Sequence, residues 1–506
     1  MGLHDFTFYD LINRNAACFK EKEAWLEAGD GRTLTFVQLK KNVDRLAFGL
    51  RKSGIKKGDR VGVLGNNSLE YFLLYGAAAA LGAILLPINW RLSPDEVEFN
   101  LNDCEPRLLF VDQEYQESVE GFKGNLASVE GYFDLGQKGN FSGFESLMEN
   151  QGDFEREDIS SDYGFVLMYT AAVAGRPRGA LLSHGNVICS NMNFVYFLNL
   201  RGHDVHLNFV PLFHVGGLFM AFSSFQAGAL NVNLRKFDAA KTVQLIEEKK
   251  VSVMMTFSPI LSSVLEEHEK AGRDISSLRA VPGIETVETI EKYQKVTGGR
   301  FYNMYGQTET SCMTSFAAHD DRPGSVGKVI PVVEISVVDD YDRPVPVGRV
   351  GEITLRGPMV FKGYWNLPND TEYTFRDGWH HTGDQGRLDD DGFLWYEGPK
   401  AEKELIKPGG ENVYPAEVEK VILKHPAIDR TAVFGVPDPK WKEGVKAVCL
   451  LKEGESLEAR ELIDFVGECI AGFKKPQYVE FVANFPVLED NSPDRARIKE
   501  LYGGPQ

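Results

Sequence analysis

The sequence predicts an α/β protein with a large N-terminal domain of layered α/β sheets, a β-rich subdomain and a small, mobile C-terminal α+β domain. First, 506 residues are too many for one ordinary core. Second, short apolar runs alternate with helical patterns up to about residue 304, as in parallel sheets covered by helices. Third, the pattern turns to antiparallel alternation from Val333 to Leu355 and changes again at Glu397-Gly398-Pro399. We therefore predict domains at 1–396 and 397–506.

The first α/β block is predicted from helix caps and apolar runs. Thr35 and Ser93 each stand where the N-cap of a helix is expected, and a further helix is predicted from Ser68 to Leu81. Three apolar runs between these helices predict parallel strands: Arg60 to Leu64, Ile84 to Leu86 and Arg107 to Val111. The uncharged stretch from Tyr71 to Ile88 contains Pro87, so we expect a buried helix that leads into a strand, not a membrane span.

The second block opens with a candidate phosphate-binding stretch. Phe165 to Tyr169 predicts a buried strand, and Ser183 is placed to cap a helix that starts near Asn186. Tyr169 to Gly179 lies between them and reads Tyr-Thr-Ala-Ala-Val-Ala-Gly-Arg-Pro-Arg-Gly. A loop of small residues here would bring backbone N–H groups close to a phosphate, although it is not a Walker A loop. On this stretch alone, an ordinary loop is an equally good interpretation.

Further alternation predicts where a ligand would bind. The predicted elements are strands Val205 to Val210, Val251 to Thr256, Leu278 to Val281 and Arg300 to Met304, with helices Ala239 to Lys249 and Thr286 to Thr297. Ligands of open α/β sheets bind outside the carboxyl ends of the strands. The residues that follow predicted strands are Gly175, His214, Gly283 and Tyr305. We therefore expect these four residues to converge.

Charge and cysteine content limit the class of partner. The net charge of −18 argues against nucleic acid or an anionic membrane as the main partner. An anionic ligand would have to meet local basic groups. The six cysteines are scattered, with no Cys-x-x-Cys, and predict reduced thiols in a cytoplasmic protein: Cys18, Cys104, Cys189, Cys312, Cys449 and Cys469.

Five ordered segments carry a resemblance that covers nearly the whole chain. They are Tyr169 to Gly179, Pro211-Leu212-Phe213-His214, Tyr305-Gly306-Gln307-Thr308-Glu309, Thr382-Gly383-Asp384 and Gly409 to Pro415. Their order resembles the adenylate-forming (AMP-forming) acyl-CoA ligases, relatives of firefly luciferase and of the adenylation domains of peptide synthetases. The resemblance implies that a carboxylic acid, such as a fatty acid, reacts with ATP to give an acyl-adenylate and then with CoA to give acyl-CoA and AMP. It also implies Mg²⁺ and a lid domain that rotates between the steps.

The resemblance also assigns site residues. Glu309, a hard oxygen donor on a loop, is the expected Mg²⁺ ligand. The alternative interpretation is that Glu309 is a solvated carboxylate in an ordinary turn. His214 would lie at the acyl pocket and the thioester channel, although it could instead be a core histidine. The catalytic set is His214, Thr308, Glu309 and Arg178. The residues assigned to ATP or CoA are Thr170, Gly175, Gly179, Gly283, Ile284, Glu285, Tyr305, Gly306, Gln307, Thr308, Asp384, Gly409, Gly410 and Lys474.

Several positions depart from the family pattern where the chemistry should occur. The phosphate loop of the family is rich in Ser and Thr, but here these positions are Ala171, Ala172, Val173 and Ala174. Arg178 stands where the family has a lysine. Where the family has Gly-Arg at the start of the lid, this chain has Gly398-Pro399. Where the family has Gly-Lys near the C-terminus, this chain has Asn491-Ser492-Pro493. Because one lost preorganised donor costs about 10²–10³ in rate, adenylation should be slow unless another cation substitutes. The candidates are Arg178, Arg495, Arg497 and Lys499.

Three interpretations follow from these departures. The chain is an acyl-CoA ligase with an altered ATP site, an enzyme that uses part of the cycle, or a non-catalytic binder of acyl-CoA or nucleotide. The retained motifs favour the first. The sequence determines neither the acid nor the oligomeric state, for which a homodimer is one option.

Overall fold

The computed structural model describes residues 2–136, 138–149, 152, 154–173, 176–339, 341–400, 406–411, 413–487 and 493–504. The first block contains α1 (Phe8–Phe19), β1 (Glu23–Glu27), β2 (Thr33–Thr35), α2 (Phe36–Lys52), β3 (Arg60–Leu64), α3 (Leu69–Leu81), β4 (Ile84–Ile88), α4 (Pro94–Cys104), β5 (Leu108–Val111), α5 (Gln116–Phe122), β6 (Gly131–Asp134) and α6 (Glu145–Met148). The predicted caps Thr35 and Ser93 are confirmed, because each accepts a backbone N–H from the first turn of its helix. Ser68, where a helix was predicted to begin, is the cap of α3.

The second block contains β7 (Gly164–Val173), β8 (Arg176–Ser183), α7 (His184–Phe197), β9 (Val205–Asn208), α8 (Val215–Gln226), β10 (Leu230–Asn233), α9 (Ala239–Lys249), β11 (Thr256–Phe257), α10 (Ile260–Ala271), β12 (Ala280–Ile284), α11 (Val287–Thr297) and β13 (Arg300–Tyr305). The strand predicted for Val251 to Thr256 is shorter than expected. Val253 instead makes isolated parallel bridges to His206 and Ala280, between two sheets.

The described residues of the segment from Tyr169 to Gly179 form the two strands of a hairpin and not the predicted loop. β7 and β8 pair antiparallel, with Tyr169 opposite Gly179 and Thr170 opposite Arg178. The apolar run before the segment therefore continues as strand to Val173, and the ladder takes up backbone N–H groups that a phosphate loop would leave available. Residues 174 and 175, including the predicted phosphate contact Gly175, lie outside the described residues.

The rest of the N-terminal part is antiparallel. It contains β14 (Ser315–Ala318), β15 (Lys328–Val329), β16 (Glu334–Val338), β17 (Gly351–Arg356), α12 (Pro368–Thr374), β18 (His380–Leu388) and β19 (Leu394–Pro399). β16 to β19 form a four-stranded antiparallel sheet in chain order, as predicted from Val333 onward. β19 runs to Pro399, beyond the boundary predicted at residue 396, so the division into 1–396 and 397–506 stays a prediction.

The C-terminal lid, by which we mean the chain after Pro399, has a fold of its own. It contains α13 (Pro415–Ile422), β20 (Ile428–Asp438), β21 (Lys442–Leu451), α14 (Ala459–Cys469), β22 (Tyr478–Phe481) and α15 (Arg495–Tyr502). Its three-stranded sheet, in the order β20-β21-β22, carries a buried apolar cluster that includes Val418, Val433 and Leu462. This cluster is separate from the large core of the α/β blocks.

The N-terminal α/β blocks share three sheets. β6-β5-β3-β4-β7-β8 is parallel except for the β7–β8 pair, and β11-β12-β13 is parallel before it turns antiparallel through β14 and β15. β2-β1-β10-β9 forms the third sheet. Within the described ranges, we find no helix that is both long and apolar enough to cross a membrane.

Candidate functional site

A cavity of about 550 Å³ lies where the sheets of the N-terminal part meet the C-terminal lid. Ten of the predicted site residues line the cavity: Thr170, Arg178, His214, Ile284, Tyr305, Gly306, Gln307, Thr308, Glu309 and Asp384. The lid contributes Lys407, Tyr414, Trp441, Lys442 and Glu443. The convergence expected at the strand ends is therefore seen for His214 and Tyr305, together with residues from the antiparallel sheet and the lid.

One wall of the cavity is organised around the carboxylate of Asp384. The Tyr305 hydroxyl and the Gln307 side-chain amide both donate to its Oδ2, at 2.7 and 2.5 Å. The backbone N–H of Asp384 donates to the hydroxyl of Thr382. Burial and the neighbouring carboxylate raise the pKa of Tyr305 well above its usual value, so its hydroxyl stays a donor. The ring of Tyr396 lies 5.7 Å from that of Tyr305, which leaves an aromatic surface beside the carboxylate.

A second group places an anion and a cation around one tyrosine. The Tyr364 hydroxyl donates to Glu309 Oε1 at 2.9 Å, and Glu309 is 7% exposed. The guanidinium of Arg178 lies 4.2 Å from the centre of the Tyr364 ring. Burial and Glu309 raise the pKa of Tyr364 well above its usual value. The buried carboxylate is thus held by one neutral donor, and a fixed positive charge stands nearby.

The turn that carries Glu309 depends on close packing at Gly306. A Cβ at Gly306 would lie 2.1 Å from the backbone oxygen of Cys312, so no larger residue fits without a shift of the backbone. The Thr310 hydroxyl accepts the N–H of Gln307, and the backbone oxygen of Glu309 accepts the N–H of Phe361. The short helical turn Thr308–Thr310 is therefore held at both ends.

Gly179 has a packing role in this arrangement. A Cβ there would lie 3.0 to 3.2 Å from Leu167, Tyr169 and Trp365, and its backbone oxygen accepts the N–H of Trp365. Thr170 lines the cavity and donates to the backbone oxygen of Arg178 at 3.3 Å. Of the hairpin residues, Thr170 and Arg178 thus reach the cavity, and Gly179 does not line it.

His214 begins α8 at the apolar side of the cavity. Its Nδ1 accepts the N–H of Gly216 at 3.1 Å, so the histidine is the cap of that helix. Burial lowers its pKa, which favours the neutral imidazole. A Cβ at Gly216 would lie 2.8 Å from the sulfur of Met255 and 3.3 Å from the ring of Phe257. These side chains form an apolar wall next to the histidine.

The predicted adenine-flanking loop reaches the cavity through one residue. Gly283 pairs with Thr256, whose backbone oxygen would lie 1.9 Å from a Cβ at this position. Ile284 lines the cavity and is 54% exposed. Glu285 is directed elsewhere: its Oε1 accepts the Thr256 hydroxyl and the N–H of Leu261. Burial raises the pKa of Glu285.

The predicted CoA residues are divided between two places. Gly409 has a φ of +59° and packs so closely against Trp441 that a Cβ would lie 2.8 Å from the indole ring, and Trp441 lines the cavity. Gly410 ends the same short turn. Lys474, in contrast, is buried away from the cavity and forms ion pairs with Glu96 and Glu417. Its predicted contact with CoA stays a prediction.

Several cavity residues were missed in the sequence. Tyr364, Tyr396 and Trp441 line the cavity but belong to no recognisable motif. The only signal in the sequence was that each is aromatic: Tyr364 follows a glycine, Tyr396 lies on a short strand, and Trp441 lies in a turn. Their place in the cavity wall is seen only in the tertiary structure, where segments that are distant in sequence meet.

A cluster at the cavity wall, where Glu352 and His381 line the cavity, has the ligand types of a metal site but is already neutralised. Ligand atoms of Asp342, Glu352 and His381 lie within 4.8 Å of one another. Arg376 pairs with Asp342 at 2.8 Å, and Lys400 pairs with Glu352 at 3.1 Å. Although burial opposes it, hydrogen bonds from His381 and Lys400 lower the pKa of Glu352 to about 2. We interpret the cluster as an ion network, because two cations occupy the place of a metal.

Two family models together match most of the chain. The family model "AMP-binding enzyme" matches residues 12–365, and "AMP-binding enzyme C-terminal domain" matches residues 417–488. The chain is 35% identical over 464 residues to an indoleacetate–CoA ligase of Aromatoleum aromaticum, covering 90% of each chain.

Two solved structures cover almost the whole chain. An o-succinylbenzoate CoA synthetase from Bacillus subtilis, bound with its product analogue OSB-NCoA, is 28% identical, with a TM-score of 0.86 and 98% of each chain covered. The anthranilate CoA ligase AuaEII, in complex with anthranoyl-AMP, is 27% identical with a TM-score of 0.75, covering 100% of this chain and 98% of that one.

Proposed function

Because this chain belongs to the AMP-binding enzyme family, we propose that the cavity under the C-terminal lid is the place where it makes an acyl-adenylate and converts it to acyl-CoA. The protein is an AMP-forming acyl-CoA ligase that uses ATP, CoA and Mg²⁺. The observation that carries the proposal is that the Asp384 group and the Glu309–Tyr364–Arg178 group line one cavity.

In the first step, a carboxylate oxygen of the acid bonds to the α-phosphorus of ATP. The bond from that phosphorus to the bridging oxygen breaks, and pyrophosphate leaves with the electron pair. Asp384 would accept the ribose hydroxyls beside the Tyr305 ring. Arg178, Thr170 and Thr308 would hold the phosphates, because two anions must meet while charge builds on the phosphoryl oxygens.

Glu309 fits a magnesium ion because it is a buried hard oxygen donor. Its only hydrogen bond to another side chain within the described part of the protein is the neutral one from Tyr364. When bound, the ion would neutralise phosphate charge. Tyr364 orients the carboxylate, and Arg178 supplies the neighbouring positive charge.

In the second step, the CoA sulfur bonds to the acyl carbonyl carbon. The bond from that carbon to the phosphate oxygen breaks, AMP leaves with the electron pair, and the thiol proton passes to solvent. Two observations support this arrangement of the lid as the one for thioester formation. Trp441 and the Gly409 turn line or flank the cavity. The TM-score is also higher to the relative with an acyl-CoA analogue, 0.86, than to the one with an acyl-adenylate, 0.75.

The acid would enter beside His214. The wall formed there by Val215, Met255, Phe257 and Met304 offers contact to a ring or an apolar chain. The relatives named above act on indoleacetate, o-succinylbenzoate and anthranilate. The proposal therefore includes an aromatic or other apolar carboxylic acid as the substrate.

The cellular setting is also part of the proposal. The six cysteines are free in the structure, which supports a reducing, cytoplasmic location. A homodimer is one option for the assembly, and light scattering of the purified protein would distinguish it from a monomer.

Mass spectrometry of the protein with Mg-ATP and a pool of carboxylic acids, with and without CoA, tests the function. We expect an acyl-AMP without CoA, and acyl-CoA with AMP when CoA is present. Reactions without ATP serve as the control. If the folded protein makes neither product, the ligase proposal is wrong, and a non-catalytic binder becomes the better interpretation. If the protein forms acyl-CoA from supplied acyl-AMP and CoA but not from the free acid, it is a partial-cycle enzyme.

A further inference from the structure

The start of α4, in the N-terminal part, contacts the C-terminal lid through one carboxylate. Glu96 Oε1 accepts the ammonium of Lys474 at 2.5 Å, and Glu96 Oε2 accepts the backbone N–H of Ala471 at 3.1 Å. Lys474 is 2% exposed and also pairs with Glu417 at 2.8 Å. One buried lysine of the lid is therefore shared between a carboxylate of the lid and a carboxylate of the N-terminal part.

Glu96 is fixed in place by the helix that carries it. Its Oε2 accepts the N–H and the hydroxyl of Ser93, at 2.9 and 3.0 Å, in the capping box of α4. The carboxylate therefore needs little ordering when the lid arrives. Although burial opposes it, Glu417 and Glu96 raise the pKa of Lys474, so the lysine stays charged between them.

The contact continues into the cavity wall. Glu417 Oε1 accepts the backbone N–H of Tyr414 at 3.1 Å, and Tyr414 lines the cavity. A chain of hydrogen bonds thus runs from Glu96 through Lys474 and Glu417 to Tyr414. A second ion pair, between Arg91 and Glu411, joins the same two parts of the protein nearby.

We propose that Glu96 is a positioning residue for the thioester step, because it holds Lys474 and thereby places the Tyr414 wall of the lid over the cavity. The inference rests on the proposed function of that cavity. The family resemblance implies a lid that rotates between the two steps, and the Glu96–Lys474 pair forms where the lid lies against α4. The pair therefore shifts the equilibrium toward the arrangement seen here. It also gives Lys474 a role that does not require contact with CoA.

Glu96→Gln in the full-length protein is the direct test. Glutamine keeps an oxygen for the capping box but removes the charge that pairs with Lys474. Two reactions are measured separately: acid-dependent exchange of pyrophosphate into ATP, and conversion of supplied acyl-AMP with CoA to acyl-CoA. We expect the second rate to fall about 10- to 100-fold, the usual range for a coupling of this kind, and the first to change less than about 2-fold.

Asp95→Asn is the matched control, because Asp95 is the exposed neighbour on the same helix turn. It should leave both rates unchanged. Lys474→Met should reproduce the loss seen with Glu96→Gln, and the double variant should lose no more than either single variant. If Lys474→Met fails to fold, Glu96→Gln and its control still decide the question.

A merely structural role for Glu96 would lower both half-reactions together along with the melting temperature. That result, or an unchanged thioester rate in Glu96→Gln, would overturn the inference. Failure of the proposed function is distinguishable, because it would already be seen as absence of both products with the wild-type protein.

Discussion

Glu309→Gln is the sharpest test of the active-site assignment. Glutamine has nearly the same volume and can still accept the hydrogen bond that the Tyr364 hydroxyl donates at 2.9 Å. The substitution removes only the negative charge, at a position that is 7% exposed. Its effect on catalysis should therefore report the loss of a metal ligand and not a change in packing.

The expected loss follows from the position of the carboxylate. A preorganised charged group that contacts the reacting phosphates contributes about 10²–10³ in rate. We expect the rate of acyl-AMP formation to fall by this factor in Glu309→Gln. Tyr364→Phe keeps the charge of Glu309 and removes one hydrogen bond to a charged group, which contributes about 1.5–3 kcal/mol, so the rate should fall about 10- to 100-fold.

The assay is rapid-quench measurement of acyl-AMP formation over a range of Mg²⁺ concentrations, with thermal unfolding as the check on folding. Glu291→Gln, at an exposed position on α11, is the control and should behave as wild type. Unchanged acyl-AMP formation and unchanged Mg²⁺ dependence in Glu309→Gln would refute the assignment of Glu309 as the metal ligand.

Three further predictions concern the nucleotide, the altered positions and pH. Asp384→Asn should weaken AMP binding about 10- to 100-fold in calorimetry, because a hydrogen bond to a charged group contributes about 1.5–3 kcal/mol; an unchanged affinity would contradict a ribose contact. Ser492→Lys combined with Pro399→Arg should raise acyl-AMP formation about 10²-fold if the predicted register is right, and no gain would point to another cation. Burial lowers the pKa of His184 to about 3 and that of His206 to about 4, so both stay neutral when folded. Since the unfolded chain takes up these protons first as pH falls below about 6.5, urea-measured stability should decrease by up to about 1.4 kcal/mol per pH unit for each histidine, and a flat profile would contradict this.

Local patterns predicted much of the N-terminal fold. β3 and α9 have the predicted bounds, and Thr35 and Ser93 cap the helices that they were expected to cap. The reason is that capping and hydrophobic periodicity act over three or four residues, which a single sequence displays. The same signals were insufficient at β7 and β8, where small residues predicted a loop but the described backbone forms two antiparallel strands.

The candidate site was predicted in part. Tyr305, Glu309 and Asp384 were expected from their motifs and line one cavity. Glu285 was expected there as well, but its hydrogen bonds to Thr256 and Leu261 hold it behind the wall. The apolar strand pattern could not reveal this, because the direction of a single side chain after a strand depends on the residues that pack around it.

The sequence by itself determined the class of fold, the family resemblance and the residue types expected to contact phosphate and metal. Only the tertiary structure decided which of them meet. The Tyr364–Glu309 hydrogen bond joins residues 55 positions apart, and the Lys474–Glu96 bond joins residues 378 positions apart. Such contacts have no local signal, since they form only when separately folded parts pack together and exclude water from the groups between them.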